Sequence, residues 1–471
     1  MSSPGTPSNT PPESGNPPKS NGSGREGSLE APTRHPIDWR NPQFYDAAAV
    51  TRELERVFDI CHGCRRCFSL CNAFPTLFDA IDESDTTELD GVDRKVFWEV
   101  VDNCYLCDMC FMTKCPYVPP HPWNVDFPHL MLRAKATHAR QTGFSFRDRV
   151  LSRTDTVGNI AGIPVVAQLV NAVNGTSAGR ALLEKTLGVA RDAPIPKYHS
   201  RTARKRLSQR LQTDTAAVPD EPSVQATEQT TGKVALFATC YGNRNEPELA
   251  EDLAAVLAHN AVRVTLLAQE RCCGMPRLEL GDLEGVARLK DYNVPRLKRA
   301  IDRGFDIIAP IPSCVLMFKQ ELPLMFPGDA AVTAVKRRIF DPFEYLMLRH
   351  RAGLLRTDFK SSLGKISYHV PCHLRVQNIG LKTRDLLKLV PDTTVEVIER
   401  CSGHDGTYAV KKEFRAASVK IGRPVMQRIE GANPDHYCSD CPMAGHQIES
   451  GLSRPREPEH PLKLLRQAYG I

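Results

Sequence analysis

The sequence lacks the long apolar run that a membrane-spanning helix requires. Residues 1–36 are rich in Pro, Ser, Gly and Asn, and they contain no apolar stretch typical of a secretory signal peptide. We therefore expect residues 1–36 to be a disordered tail, because they cannot bury enough apolar surface to offset the entropy of ordering. We also expect the chain to fold in a reducing, cytoplasmic compartment.

Two nucleotide-binding fingerprints are also absent. The sequence contains neither G-x-G-x-x-G nor the phosphate-binding loop G-x-x-x-x-G-K-[ST]. We therefore expect the chain to bind no flavin or nicotinamide of its own. If the chain performs redox chemistry, electrons would enter and leave through partners.

The sequence has little excess of one charge, since 61 Lys and Arg face 55 Asp and Glu. Six basic residues in one short segment without an acid equal that excess: Lys197, Arg201, Arg204, Lys205, Arg206 and Arg210. A basic linker without a nucleic-acid-binding signature predicts no nucleic-acid partner.

Cysteine, in contrast, is abundant, with 16 residues. In a large chain of a reducing compartment, closely spaced cysteines bind metals or react more often than they form disulfides. Half of them fall between residues 37 and 135 and half after residue 233. The spacing within each half carries the functional interpretation.

The first half forms two runs, Cys61-x2-Cys64-x2-Cys67-x3-Cys71 and Cys104-x2-Cys107-x2-Cys110-x4-Cys115-Pro116. These runs resemble those of bacterial two-cluster ferredoxins, in which the fourth cysteine of each run ligates the other cluster. That resemblance implies one [4Fe–4S] cluster on Cys61, Cys64, Cys67 and Cys115, and a second on Cys104, Cys107, Cys110 and Cys71. The match is imperfect, because Asn72 replaces the usual proline and the second run has a longer last gap. Structural zinc is the alternative. A zinc site needs only four ligands, however, and does not explain why each run has three cysteines separated by two residues.

From Lys233 onward, short apolar strands alternate with amphipathic helices, which predicts an α/β fold with parallel sheets. Strands are expected at 233–240, 262–267 and 305–311, and the rhythm restarts with strands at 365–372, 394–398 and one ending near 438, preceded by a helix from about 410 to 429. The second half is therefore a tandem duplication. We predict a tail (1–36), a mostly helical ferredoxin-like module (37–135), a helical segment with a basic linker (136–232) and two cysteine-rich α/β repeats (233–350 and 351–471).

The cysteines of the repeats follow predicted strands, at the sheet edge where sites form in open α/β folds. Repeat one carries Cys240, Cys272, Cys273 and Cys314, and repeat two carries Cys372, Cys401, Cys438 and Cys441. Ferredoxin runs followed by two such repeats resemble the iron–sulfur oxidoreductase family that includes the iron–sulfur subunit of anaerobic glycerol-3-phosphate dehydrogenase. The repeats alone are similar to the cysteine-rich subunit of heterodisulfide reductase.

The full repeat of that family has five cysteines, in the order Cys, Cys-Cys-Gly and Cys-x2-Cys. Here Ile311 stands in place of one cysteine of repeat one, and Ser402 stands in place of one of repeat two. Four thiolates suffice for a [4Fe–4S] cluster or for tetrahedral zinc, and less well for an unusual non-cubane cluster. We expect one or two further iron–sulfur clusters, or zinc, on these two sets.

Residues 156–179 carry no charge, and apolar residues recur there at helical spacing, but Asn, Gln, Pro and Gly interrupt them. One interpretation is a helix packed on the protein's own core. The other is an interfacial helix that contacts a membrane surface beside the basic segment, as a peripheral anchor.

Three functions remain open. The family resemblance implies an electron-transfer subunit between a flavoprotein dehydrogenase, of glycerol-3-phosphate or 2-hydroxy-acid type, and a quinone or other acceptor. The chain could instead be a soluble reductase that feeds a peroxide-scavenging diiron protein or a disulfide. The third hypothesis is a metal-bound redox sensor or scaffold without turnover.

Overall fold

The computed structural model describes residues 32–213, 224–454 and 456–471. Within these ranges, helices form the amino-terminal half, and two separate parallel sheets form the carboxyl-terminal half. The α/β prediction is therefore confirmed. Residues 1–31 of the predicted tail and residues 214–223 of the predicted linker lie outside the described residues.

The cysteine-run module is built from five α-helices and two 3-10 turns, at Pro42–Tyr45 and Leu89–Gly91. Asp46 caps the first helix by accepting a hydrogen bond from Ala49 N. Buried aromatic side chains form much of the module's own core. The helices are α1 Ala47–Cys64, α2 Ala73–Asp82, α3 Arg94–Asn103, α4 Met109–Thr113 and α5 Phe127–Thr142.

Five shorter helices follow, and they include the segment expected to be a linker. Ala203 and Leu207 are buried and belong to the core of the first sheet. This part of the segment is therefore a helix packed on the first repeat and not a free linker. The helices are α6 Phe146–Ser152, α7 Thr154–Ala161, α8 Pro164–Asn174, α9 Ser177–Leu187 and α10 Ala203–Leu207.

Repeat one forms a parallel sheet in the order β2-β1-β3-β4, with β1 Lys233–Leu236, β2 Arg263–Leu266, β3 Asp306–Ile308 and β4 Ile339–Phe340. Apolar residues fill these strands because helices cover the sheet. The helices are α11 Cys240–Arg244, α12 Pro247–His259, α13 Met275–Leu278, α14 Leu283–Asp302, α15 Pro312–Leu316, a π-helical turn at Met317–Glu321, α16 Leu322–Met325, α17 Ala330–Arg338 and α18 Pro342–Arg351.

Repeat two forms a parallel sheet in the order β6-β5-β7, with β5 Gly364–His369, β6 Thr393–Ile398 and β7 His436–Ser439. A helix was expected from about residue 410, but it begins at Arg415, because turns occupy the preceding residues. The helices are α19 Cys372–Arg375, α20 Lys382–Leu387, α21 Arg415–Ala432, α22 Pro442–Glu449 and α23 Pro461–Tyr469.

The two sheets repeat one topology. In each, the first strand is central, the second strand lies on one side of it and the third on the other. The last helix of each repeat packs on the other repeat, since α18 contacts α20 and α23 contacts α12. This exchange of helices joins the repeats into one body and sets the cysteine-bearing edges side by side.

Candidate metal centres

The first thiol group of the helical module joins both cysteine runs. Cys61, Cys64 and Cys67 surround the end of α1, and the thiols of Cys61 and Cys67 both interact electrostatically with that of Cys115. Arg65 lets the chain turn there, because it takes a left-handed conformation (φ 50°) directly after the helix. The structure thus brings together all four members of this predicted set, including Cys115 beyond its longer gap.

The second thiol group shows the same crossing. Cys71, from the first run, interacts electrostatically with Cys104 and Cys107, and Cys110 interacts with both Cys71 and Cys104. Cys110 also interacts with Cys67, so the two groups are neighbours. The fourth cysteine of each run therefore lies with the triplet of the other run, as in the ferredoxin pattern.

The four cysteines of repeat one lie together at the carboxyl edge of the first sheet. Their thiols neighbour one another in the order Cys240, Cys272, Cys273, Cys314. They follow the ends of strands in the same layer, which is where open parallel sheets place their sites. Repeat one thus supplies a complete set of four thiols.

A strained backbone conformation at Thr239 and contacts with nearby side chains fix the position of Cys240. Thr239 adopts φ 65°, a conformation that β-branched residues rarely adopt, and its hydroxyl accepts a hydrogen bond from Gly242 N at 3.0 Å. Thr154, the first residue of α7, places its side chain against the thiols of Cys240 and Cys272. The sequence analysis missed Thr154, since nothing local marks a threonine so far before the strand end.

Repeat two brings fewer cysteines together. The thiols of Cys372 and Cys401 neighbour each other, and Tyr105 Oη lies 3.4 Å from Cys401 Sγ. Gly403 N donates a hydrogen bond to Cys401 Sγ at 3.3 Å, as backbone amides do to cluster sulfurs. Gly403 has φ 77°, and a Cβ there would overlap Ser418 O, so only glycine fits.

The other two cysteines of repeat two differ from each other in position. Cys441 caps the start of α22 at the sheet edge. Cys438 instead lies inside β7, opposite Tyr368 of β5, and its side chain is buried in an apolar cluster with Ile366 and Leu464. The charged groups that interact with the Cys438 thiol are the carboxylates of Asp440 and Glu459.

Asp405 is a buried acid that the sequence analysis did not single out. Its carboxylate interacts electrostatically with Cys372, Cys401 and Cys441. Its Oδ1 lies 4.0 Å from His373 Nε2. An acid only four residues after Cys401 was the sequence signal that could have found it.

The thiol groups adjoin one another across module boundaries. The thiol of Cys107, in the helical module, neighbours that of Cys372, in repeat two. Between the repeats, Ser313 Oγ lies 2.7 Å from His373 Nδ1, and these residues directly adjoin Cys314 and Cys372. The four groups therefore form one connected series from α1 to the first sheet.

Burial governs the protonation of these thiols. It raises the pKa of Cys67 to about 12, with nearby thiols adding to the effect. It also raises the pKa of Cys104 to about 11, although the buried ammonium of Lys135 opposes the shift. Metal-free thiols in this setting stay protonated at neutral pH, so a bound cation would release their protons.

The donor sets fit iron–sulfur clusters. Thiols come in groups of four in the helical module and in repeat one, the groups are buried or half-buried, and glycines and amides flank them. Within residues 32–213, 224–454 and 456–471, no three His, Cys, Asp or Glu side chains converge on one point as around a single metal ion. Cys61, Cys64, Cys67 and Cys115 would hold one cluster, Cys71, Cys104, Cys107 and Cys110 a second, and the four cysteines of repeat one a third.

Comparison with known proteins shows two matches to one family model. The cysteine-rich domain family CCG matches residues 234–319 and again residues 366–449. The first match spans three of the four strands of the first sheet, without β4, and the second spans the three strands of the second sheet; each includes the four cysteines of its repeat. The duplication inferred from the alternation of strands and helices is thus visible in sequence similarity as well.

Similarity to known proteins covers more of the chain than the two repeats. The chain is 30% identical over 349 residues to the subunit designated C of anaerobic glycerol-3-phosphate dehydrogenase from Escherichia coli, which covers 74% of this chain and 83% of that protein. It is 25% identical over 227 residues to the subunit designated B of fumarate reductase (CoM/CoB) from Methanothermobacter marburgensis, covering 47% and 42%. It is also 25% identical over 183 residues to lactate utilization protein A of Halalkalibacterium halodurans, covering 38% and 73%.

Proposed function

Because the chain belongs to the CCG family of iron–sulfur proteins, together with the matched subunit of anaerobic glycerol-3-phosphate dehydrogenase, we propose that it is an electron-transfer subunit. It takes electrons from a partner flavoprotein dehydrogenase of glycerol-3-phosphate or 2-hydroxy-acid type. It delivers them to a quinone or another acceptor. Several relatives are named as subunits of dehydrogenases or reductases, which supports a redox partner.

The observation that carries this proposal is a series of thiol groups that side-chain contacts link to one another. Cys67 and Cys110 join the two groups of the helical module, and Cys107 and Cys372 join the module to repeat two. The hydrogen bond between Ser313 and His373 joins the repeats. A sensor or scaffold needs one such group, whereas transport over the length of the molecule needs a series.

Iron–sulfur clusters, when bound, supply one-electron carriers. The chain's own residues hold their ligands in a dry setting and fix the spacing between them. Lys135 places a buried ammonium against the backbone oxygen of Cys104, next to the second thiol group. A positive charge there favours the more negative, reduced state of that group.

A cavity at the far end of the series offers a place for the acceptor. It measures about 340 Å³ and opens beside Cys240. Its wall contains three arginines, Arg204, Arg244 and Arg271, of which the first two pair with the lining carboxylates Glu270 and Asp155, and also Tyr292. The N–H and O–H donors of this lining suit a small molecule with carbonyl oxygens, such as a quinone head group.

An apolar face adjoins the same end. Ile160, Ile163, Val165 and Leu169, on α7 and α8 and the turn between them, are all more than half exposed. No single helix in the described part of the chain is long and apolar enough to cross a membrane; α7 and α8 reach that length only as a pair, bent by 102°. We propose that this face rests on a membrane surface, which would place the chain as a peripheral protein on the cytoplasmic side.

The basic segment supports that placement. The chain at Tyr198 packs on α8, where its N–H and C=O both bond the side chain of Asn171 at 2.9 Å. Just beyond it along the chain, Arg201, Arg206 and Arg210 line a second cavity of about 290 Å³, in which Arg206 pairs with Glu251. A basic segment that follows an apolar face in the sequence matches the charge of anionic lipids.

Metal analysis tests the electron-transfer proposal. Anaerobically purified chain should contain about eight irons from the helical module and about four from each filled repeat, with matching sulfide. Reduction should produce electron paramagnetic resonance (EPR) signals, and reoxidation by a quinone analogue should be fast. A chain with fewer than about four irons and stoichiometric zinc would contradict the proposal.

The membrane surface is tested separately with anionic liposomes. The full chain should co-float with vesicles of phosphatidylglycerol at low salt, and Leu169→Asn should weaken flotation. Phe68→Asn is the matched control, since Phe68 is similarly exposed but lies in the helical module. Equal flotation of both variants would overturn the proposed face.

A further inference from the structure

We infer that repeat two is a site of three thiolates and one carboxylate, in which Asp405 takes the fourth ligand position and Cys438 is not a ligand. This inference deepens the iron–sulfur proposal and rests on it. It starts from the internal duplication, which allows each position of repeat two to be compared with its counterpart in repeat one.

Strand register identifies the counterpart of Cys438. In repeat one, the residue four before Cys240 is Leu236, and it pairs with Ile308. In repeat two, the residue four before Cys372 is Tyr368, and it pairs with Cys438. Cys438 therefore occupies the position of Ile308, inside the strand rather than at its edge.

The neighbouring strand gives the same answer. Ile308 pairs on its other side with Phe340, which stands two residues before the helix that starts at Pro342. Cys438 pairs on its other side with Glu459, two residues before the helix that starts at Pro461. Tyr368 and Glu459, which flank Cys438, are thus the counterparts of Leu236 and Phe340, which flank Ile308.

The edge positions follow from the helix starts. Ile311 precedes Pro312 as the cap of α15, and Cys441 precedes Pro442 as the cap of α22. Cys441 is thus the counterpart of Ile311. Three residues later, Ala444 is the counterpart of Cys314, so repeat two lacks the thiol that Cys314 supplies in repeat one.

Repeat two accordingly presents Cys372, Cys401 and Cys441 at its edge. Because [4Fe–4S] clusters are usually held by four protein ligands, a buried side chain beside these three thiols is the candidate for the fourth position. Asp405 is a buried carboxylate whose charge acts on all three of these thiols, and also on Cys104 and Cys107 of the neighbouring helical module. Its side chain is 8% exposed, so it is held within the site and not in solvent.

The loop that carries Asp405 is built tightly. Gly406, directly after it, adopts φ 39° and lies against Glu279, where a Cβ would overlap the carboxylate. Gly403 before it is packed against Ser418. The close packing of Gly403 on Ser418 and of Gly406 on Glu279 restricts the backbone on both sides of Asp405. This restriction limits the directions in which the Asp405 side chain can point.

An oxygen ligand would make one iron of this cluster unlike the other three. Replacement of thiolates by other ligands changes cluster potential, as the two histidines of Rieske centres show. Repeat two lies between the helical module and repeat one, through Cys107 on one side and Ser313 on the other. The cluster of repeat two would therefore be an intermediate electron carrier between the helical module and repeat one.

Ligand variants of the full chain, purified anaerobically with ⁵⁷Fe, test the assignment. Cys441→Ala and Asp405→Asn should each lose about four irons, or lose the spectrum of repeat two, whereas Cys438→Val should keep both. Asp392→Asn, an exposed acid elsewhere in the same repeat, is the matched control. Mössbauer spectra of the wild type should contain one iron site distinct from the rest.

A rescue removes the ambiguity of a misfolded variant. Ala444→Cys introduces a thiol at the position in repeat two that is the counterpart of Cys314. Combined with Asp405→Asn, it should therefore restore the lost irons. In the wild-type background it should keep the iron content and shift the EPR spectrum of repeat two. Asp405→Asn with wild-type iron and spectra, or Cys438→Val with the loss of about four irons, would overturn the assignment.

The same samples separate this inference from the proposed function. A wild-type chain with zinc and little iron contradicts electron transfer, yet the ligand pattern can then be determined from zinc content in the same variants. A wild-type chain rich in iron in which Cys438→Val loses a cluster leaves electron transfer intact and overturns the ligand assignment alone.

Discussion

Ser313 and His373 meet at 2.7 Å across the boundary between the two repeats, and each stands directly beside a cysteine. His373 is buried, and its other ring nitrogen, Nε2, has no hydrogen-bond partner within the described structure. The contact with Ser313 therefore supplies the hydrogen bond on which this imidazole depends. It also fixes the separation of the two cysteine-bearing edges.

Removing that contact should weaken the boundary. Ser313→Ala leaves His373 Nδ1 buried without its partner, and such a loss costs about 1–3 kcal/mol. The melting temperature of the chain should fall, whereas Ser208→Ala, at an exposed serine, should leave it unchanged. Equal melting temperatures for Ser313→Ala and the wild type would contradict this role.

Arg34 should be a major stabilising residue. Its guanidinium lies 2.5 Å from Asp108 and 2.9 Å from Asp126, and its side chain is 6% exposed. Arg34→Met leaves buried carboxylates without their cation, which costs about 3–5 kcal/mol. Chemical unfolding should show this loss, while Arg56→Met, which breaks the exposed pair with Glu53, should change stability by less than about 1 kcal/mol.

His446 should make stability depend on pH near neutrality. It lies 3.0 Å from both Glu246 and Glu449; burial lowers its pKa, but the two carboxylates outweigh burial and raise it. Because the folded pKa is above the unfolded one, the stabilisation is complete below about pH 6.5 and is lost as the pH rises through the folded pKa. The melting temperature of the wild type should exceed that of His446→Gln most at about pH 6 and least at about pH 9, and parallel profiles would contradict the ion pairs.

Asp341 should act in the same direction from a different cause. Burial raises the pKa of its carboxyl to about 8, and the nearby carboxylates of Asp440 and Glu344 add to the shift. The folded chain binds this proton more tightly than the unfolded chain, so stability falls as the pH rises from about 4 to about 8. Asp341→Asn keeps the cap on α18 without the charge, so its melting temperature relative to wild type should rise over that interval.

Much of the fold could be predicted because its signals are local. Six of the seven strands in the described residues lie where short apolar runs in the sequence predicted them. Buried parallel strands give this signal because helices cover both faces of the sheet. The two-residue strand β4 gives no such signal. The helix expected from Val410 starts at Arg415 because turns occupy residues 406–410 and 412–414.

The candidate sites were predicted less evenly. The resemblance to two-cluster ferredoxins implied the crossed sets of the helical module, because those cysteines repeat at the same short intervals. For Cys438, the Cys-x2-Cys spacing predicts a ligand, whereas the structure places this residue inside β7 and Cys441 beyond the end of that strand. The sequence did hold a better guide, since Pro312 and Pro442 mark the same helix start in both repeats.

Long-range contacts had no signal at all. Arg34 stands in the predicted tail, yet it is buried against residues more than 70 positions away. The neighbouring thiols of Cys107 and Cys372 belong to different modules. Such contacts depend on how whole modules pack, and single-sequence periodicity carries no information about that.

Helix α7 is eight residues long, or about 12 Å at about 1.5 Å per residue. Thr154 touches the thiols of repeat one at its first turn, and Ile160 belongs to the exposed apolar face at its last. The length of this one short helix therefore sets the distance between the thiols of repeat one and the exposed apolar face. Anything that covers that face lies one helix length away from those thiols.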